Sequence, residues 1–412
     1  ISSRLSLEGP IGNGSYFIGG RRTYLDLILG VLPEDPETPF PDFSFYDINA
    51  KVTQDLGPDD KISASAFFST DDLEFSSFGL DILLKLGNQL GALKWTHIFN
   101  EHFFGTFNFS YSQYFNNIYG DQSGYQFLID NAITDYTAKA NFEWFVNDDI
   151  TFKFGYEGSL YNFKYLQNFT GDTDTTQQGS QGGQTNLDVN DFHNAVYAQF
   201  KIAATDELSF QGGLRVNHWQ LRDMTLLDPR VSARYYFTDR IALKAAYGIF
   251  HQNLRLATQP DFSFFDTWLP TDSTVPASFS EHYIMSLETK LTDEFDLNFD
   301  FYYKKFENLS ELNTAVLRAE TPTVSDVFFL GKGYSYGAEV FLQKKYGKFT
   351  GWFGYALGFI TAQFDSINNG VEFRPKYDRT HDFKIVGMYK LNEDWEFGAT
   401  FLFQSGQSYT GA

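Results

Sequence analysis

The chain has 412 residues, a formal net charge of −21 and no cysteine. An acidic surface repels phosphate and has no counterions to release, which excludes nucleic acid as a general partner, and the lack of cysteine removes disulfides, thiolate metal sites and cysteine nucleophiles. Aromatic residues make up 19%, with 46 Phe and 25 Tyr, and this favours strands over helices because flat side chains pack well on a pleated surface.

The first residue is Ile1, with no basic-then-apolar leader and no small-residue cleavage site, so a removed targeting segment or a fragment is expected. "ISSRLSLEG" reads as a strand that ends in the short turn "PIGNGS", and residues 27 to 42 read as a long connection. A second long connection is expected over residues 115 to 134. In "AKANFEWFV", Ala140, Phe142 and Trp144 then alternate with Lys139, Asn141 and Glu143, as in a half-buried strand. Residues 167 to 192 form the next long connection. There Asp172, Asp174, Asp188 and Asp191 offer oxygen ligands for calcium, but the fixed spacing and closing Glu of a calcium loop are missing, so a solvated loop is expected.

Alternation resumes with Val196, Ala198, Phe200 and Ile202, and again with Val231, Ala233, Tyr235 and Phe237. Residues 252 to 279 are a long connection containing "PDFSFFDTW". Its Phe262, Phe264, Phe265 and Trp268 are exposed aromatics able to stack on a ligand or pack the loop onto its neighbours. Leu297, Phe299, Phe301 and Tyr303 alternate next, followed by long connections at 308 to 331 and 364 to 379. "GKGYSYG" lacks phosphate-loop spacing and precedes a strand, so Gly331, Gly333 and Gly337 read as strand glycines. In "HDFKIVGMYKLNEDWEFGATFLFQ" two more alternating strands flank the turn "LNED". His381 and Asp382 are adjacent and so face opposite ways on a strand, which is poor geometry for a catalytic pair.

No run of about 18 apolar residues exists, so no transmembrane helix is expected. Transmembrane strands hide their hydrophobicity in alternation, and about eighteen strands of about ten residues each fit that pattern. Short polar connections such as "VNDD", "ATDE", "FTDR" and "LTDE" alternate with the long ones, as at the two rims of an outer-membrane barrel. Trp95, Trp144, Trp219, Trp352 and Trp395 stand near strand ends, where interfacial girdles would place them.

Five pieces in this order carry a family resemblance: "SLEGPIGNGSYFIGGRRTYLD", "LGALKWTHIFNEHFFGTFNFSYSQY", "DPRVSARYYFTDRIALKAAYGIFHQ", "GKGYSYGAEVFLQKK", and "FRPKYDRTHDFKIVGMYKL" with "FQSGQSYT". Together they resemble the TonB-dependent receptors of bacterial outer membranes, in a style similar to those of Bacteroidetes-like bacteria. The resemblance implies an all-β fold, a transmembrane antiparallel β-barrel of about 22 strands with an N-terminal plug. It also implies TonB-energised import of a scarce nutrient, such as a siderophore, cobalamin or an oligosaccharide, with a surface lipoprotein as a further partner. No cofactor, metal site or catalytic group is implied.

Residues 1 to 412 carry neither plug nor TonB-contacting segment and end "SYTGA" without a closing aromatic, so a partial barrel is expected. Taking the opening segment as strand two leaves one strand missing before the chain and about three after it. Lumen-facing residues expected to bond the plug or one another are Arg215, Arg230, Arg234, Asp300, Glu339, Arg374, Arg379 and Asp382. The competing readings at this point are a passive porin and an outer-membrane enzyme or adhesin barrel.

Overall fold

The computed structural model describes residues 2–31, 41–77, 79–122, 124–170, 184–257, 267–271, 275–313 and 328–407. Its strands in chain order begin with β1 (Ser2–Ile11), β2 (Gly14–Thr23), β3 (Asp42–Asp55), β4 (Asp60–Ser77), β5 (Leu80–Asn100), β6 (Phe103–Gln122) and β7 (Tyr125–Phe145). They continue with β8 (Ile150–Thr170), β9 (Gln184–Ala203), β10 (Leu208–Trp219), β11 (Met224–Thr238), β12 (Ile241–Gln252), β13 (Leu254–Ala257) and β14 (Thr267–Pro270). The last are β15 (Ser278–Lys290), β16 (Phe295–Leu312), β17 (Phe328–Lys344), β18 (Phe349–Phe364), β19 (His381–Lys390) and β20 (Glu396–Gln404). All but β13 and β14 form one 18-stranded sheet, and every pairing in it is antiparallel between neighbours in that order, with β12 passing to β15. β13 and β14 pair with each other as a separate hairpin.

One end of the sheet is made by tight turns with a shared chemistry. At Asn147, Thr205, Thr238, Thr292 and Asn392 the side-chain oxygen accepts backbone N–H groups two and three residues on, at 2.8 to 3.2 Å. Short polar side chains favour turns because they can take over the N–H groups that the ladder releases. This is why "VNDD", "ATDE", "FTDR", "LTDE" and "LNED" all end strands.

The opposite end departs from the sequence reading. Residues 115 to 134 are not a loop: β6 runs to Gln122 and β7 starts at Tyr125, and β4 and β5 are as close in sequence, ending at Ser77 and starting at Leu80. β4 to β9 span 18 to 21 residues rather than about ten. The cause is a change of phase in the alternation. In β6 one face carries Phe107, Phe109 and Tyr111 and then the mixture Gln113, Phe115, Asn117 and Tyr119, while the other carries Asn108, Ser110 and Ser112 and then Tyr114, Asn116 and Ile118. Register extends the switch across the wall. Gln89, Gln113, Thr134, Asn162 and Asn190 form one rung of the outer face, and Leu73, Leu84, Ile118 and Ile129 form one of the inner face. Ile118, Asn116 and Asn131 are all buried, so this inner face is packed and holds polar as well as apolar side chains.

A similar boundary crosses β12 to β18. Tyr247, Tyr283, Tyr303, Tyr336 and Phe359 lie on one rung of the apolar face, and Ile249, Glu281, Lys305 and Tyr334 form the next. The hydroxyls of Tyr247 and Tyr283 both donate to Glu281, at 2.7 and 2.8 Å. Rings below and hydroxyls above suit an interface between hydrocarbon and water. From Ile241 to Tyr247 the apolar face runs about 20 Å along the strand.

The apolar face also sorts the expected tryptophans. Trp95, Trp144 and Trp395 are exposed beside Phe107, Phe103 and Phe397. Trp219 and Trp352 are not girdle residues: they lie on the polar face, Trp219 on the side of Arg215 and Asn217, and Trp352 opposite Gln343. Position near a strand end does not determine face; parity does.

The sheet curls toward its polar side. Leu269 of β14 and Phe328 of β17 make a small buried cluster with Tyr165, Leu187 and Leu312, from β8, β9 and β16. Only a curved wall brings strands so far apart in the sheet onto one hairpin. Among the described residues, β1 pairs only with β2 and β20 only with β19, so each keeps one unpaired edge.

If the apolar face meets lipid, a charge on it is penalised according to depth. Phe301→Lys should destabilise folding in lipid vesicles by about 2–4 kcal/mol, whereas Asn162→Lys, above the boundary, should change it by no more than ~0.5 kcal/mol. Denaturant titration of the folded and unfolded bands on unheated gels measures both.

Candidate functional site

The polar face holds two networks. The lower is a continuous rung, Ser209, Arg234, Lys244, Ser286, Asp300, Glu339, Ala356, Asp382 and Gln404, reaching from β10 to β20. Arg234 pairs with Glu288 at 2.6 Å and lies over the Tyr236 ring, Lys244 bonds the same carboxylate, and Ser286 donates to Asp300. Asp382 accepts from Lys384 and Gln404, each at 2.9 Å. Arg230 is on the same face over the Phe250 ring.

One expected lumen residue sits elsewhere. Arg374 lies over the ring of Phe359, which belongs to the apolar-face tyrosine rung, and pairs with Asp378 at 3.6 Å, so it is not lumen-facing. Its position in the β18–β19 connection, outside any strand register, is why parity gave no guide. Arg379 donates to the Ser405 carbonyl at 2.8 Å and ties that connection to the end of β20.

The upper network centres on Arg215. Its guanidinium is 3.3 Å from Glu157, which also pairs with Lys139 at 3.1 Å, and its Nε donates to Asn217 at 2.8 Å. Asn217 donates to Asp228 at 3.0 Å, and His251 bonds the other oxygen of Asp228 at 2.6 Å. His193 is 3.2 Å from Asn217 and stacks on Trp219, with ring centroids 4.1 Å apart. Trp219 in turn stacks on Tyr161. Asp228, His193 and Asn217 are all buried, so their polar atoms depend on one another. The sequence reading found only Arg215 here. The signal was available in parity, since 215, 217 and 219 share a face, as do 157, 159 and 161.

Asp188 and Asp191 are three residues apart in β9 and therefore face opposite ways. Asp188 accepts from Asn162 and Asp191 from the Leu221 N–H, each at 2.9 Å, so these two do not converge on one ion. Asp172 and Asp174 lie outside the described residues. Gly333 and Gly337 lie inside β17, where a Cβ would come within 2.4 Å of the Thr361 carbonyl and 2.5 Å of the Leu357 carbonyl. They permit close approach to β18 rather than cradling an anion.

At the mouth, the β13–β14 hairpin is anchored by Arg255, which is 2% exposed. It donates to the carbonyls of Asn308, at 2.8 Å, and Pro276. Asn308 has a φ of 55° where the β16–β17 register shifts, so the bulge turns its carbonyl to Arg255. Desolvation, with the Arg222 charge nearby, pushes Arg255 down to about 10. Trp268 lies on β14 opposite Leu256 and is half-buried. Phe262, Phe264 and Phe265 lie outside the described residues.

A curved meander with an apolar outer band, a charged inner face and a loop-filled mouth has a clear counterpart among known families. Residues 14–412 match the family described as "TonB dependent receptor-like, beta-barrel". The chain belongs to that family. It is an outer-membrane receptor barrel, and the family is not enzymatic. The comparison with curated proteins found no significant match.

Among solved structures, the ferric-catecholate import receptor Fiu of E. coli K12 is similar, with a TM-score of 0.68 at 12% identity, over 97% of this chain and 68% of that one. The ferripyoverdine receptor of Pseudomonas aeruginosa gives 0.68 at 13%, over 99% of this chain and 62% of that one. The FrpB iron transporter of Neisseria meningitidis gives 0.67 at 12%, over 96% and 65%. The chain thus spans less than two thirds of the last two receptors and 68% of the first. At these identities the likeness establishes the fold.

Asp228→Ala would leave Asn217 and His251 without their acceptor in a buried site. A loss of about 1–3 kcal/mol is expected, measured as a lower melting temperature of the receptor barrel in detergent, while Asp293→Ala in an exposed turn should leave melting unchanged.

Proposed function

We propose that this barrel is the membrane-spanning part of a TonB-dependent importer that captures a scarce nutrient in its extracellular mouth. The observation that carries this reading is the family match, together with a mouth whose inner wall packs Ile118, Ile129 and the cluster around Leu269. Such a wall offers a dry surface for loops and ligand above a charged passage. A ferric siderophore is the first candidate cargo, because the solved structures named above are a ferric-catecholate import receptor, a ferripyoverdine receptor and an iron transporter. Cobalamin and oligosaccharides are the other cargoes to test. The aromatic group Phe262, Phe264, Phe265 and Trp268 is proposed as ligand contact, and Arg215, Arg230, Arg234, Asp300, Glu339 and Asp382 as the surface that a plug would meet.

We also propose that residues 1 to 412 are part of a larger barrel of about 22 strands. The unpaired edges of β1 and β20 support this, since an open edge in hydrocarbon leaves backbone groups unsatisfied. TonB would act through the plug of the complete receptor.

The test is uptake by cells expressing the complete receptor, with radiolabelled ferric siderophores, cobalamin and oligosaccharides offered in turn. Saturable uptake that disappears on deletion of TonB is expected, and Trp268→Ala should weaken ligand binding by at least ~10-fold, as loss of a stacking contact worth about 1.4 kcal/mol would. Uptake that ignores TonB, with steady ion conductance in a planar bilayer, would establish the porin reading instead.

A further inference from the structure

We propose that the outer wall across β10 to β16 is a binding site for one acyl chain of an outer-leaflet lipid. The site is a shallow concavity of about 640 Å³ on the lipid-facing surface. Its floor is one rung, Phe210, Ala233, Ala245, Met285 and Phe301, in which two adjacent alanines separate large side chains on both sides. It lies far from the unpaired edges of β1 and β20, so completion of the barrel leaves it open to lipid.

Depth identifies the occupant. The rung above is the tyrosine belt with Tyr247, Tyr283 and Tyr303, and the first charges, Glu281 and Lys305, appear one rung higher. The alanine floor therefore lies within hydrocarbon, immediately beneath the interface, where the upper part of an acyl chain runs. A second concavity of about 360 Å³ shares Tyr303 and continues upward past Lys305, Lys332 and Tyr334. The track passes from apolar to polar in the direction that a lipid does, from chain to headgroup.

Within a bilayer no hydrophobic force distinguishes one apolar surface from another, because lipid tails are as apolar as the wall. What distinguishes this surface is shape. A chain lying in the concavity is touched from both sides as well as from below, and it gains dispersion contacts that a chain on a convex wall lacks. An unfilled concavity would forfeit them. The inference depends on the outer-membrane location and not on which cargo is carried.

The test uses the complete receptor in nanodiscs of phosphatidylethanolamine and phosphatidylglycerol, with a trace of phosphatidylglycerol spin-labelled on its acyl chain. Electron spin resonance reports the motionally restricted chains per receptor. The variant Ala233→Phe/Ala245→Phe fills the floor, and Ala338→Phe adds the same bulk on the next strand of the same rung, beyond Phe301. Relative to wild type, the double variant should lose about one restricted chain per receptor, while Ala338→Phe loses none. Ala245→Phe alone serves if the double variant does not assemble, as judged by unheated gel mobility. Equal restricted fractions in wild type and a folded filled variant would overturn the proposal. So would a wild-type dimer in detergent that the filled variant abolishes, since the concavity would then hold a second copy.

Discussion

Inside hydrocarbon, a backbone N–H or C=O without a partner costs several kcal/mol, and water cannot supply one. Continuous strand pairing is therefore the constraint on which the rest of this structure depends. It explains why 18 strands pair in chain order with no crossover, and why the connections at one end are tight turns whose side chains take up the released N–H groups. It also fixes which residues stand side by side on one face, each rung descending from strand to strand because the strands are tilted. The tyrosine belt, the charged inner rung from Ser209 to Gln404 and the alanine floor are all consequences of a register that does not slip over most of the wall.

Period-two alternation gives each strand a wet and a dry face, but depth decides which is which. In β6 and β7 the apolar set changes face near Tyr111 and Tyr136, and the strands continue without a break. Below that level the outer face meets lipid; above it the outer face meets water and the inner face is packed. A single extended element thus serves two environments. In the upper part Ile118, the cluster around Leu269 and the polar groups about Arg215 are packed inside, and in the lower part the Arg234 network lines the polar face.

The sequence made the strand number, the antiparallel meander and the identity of the tight turns legible, because each depends on local residues: alternation within about ten positions and a Thr or Asn before charged residues. Arg215, Arg230, Arg234, Asp300, Glu339 and Asp382 share one face in the strand register, since parity within a strand is a local property. The same rule failed for residues 115 to 134, where a change of phase looks like a loop. It failed too for Trp219 and Trp352, where closeness to a strand end was read as a direction, and for Arg374, which lies outside any strand register.

What the sequence determined by itself is the ladder: which residues alternate, where the ladder turns, and that one face is apolar. Tertiary structure alone decided what lies beside what. His193, Asn217, Asp228 and His251 come from four strands, and Arg255 reaches the bulge at Asn308 across 53 positions of chain. The physical reason is that periodicity encodes the orientation of a side chain relative to its own strand, whereas its partners depend on register and curvature. Those are fixed only when all the strands pair at once.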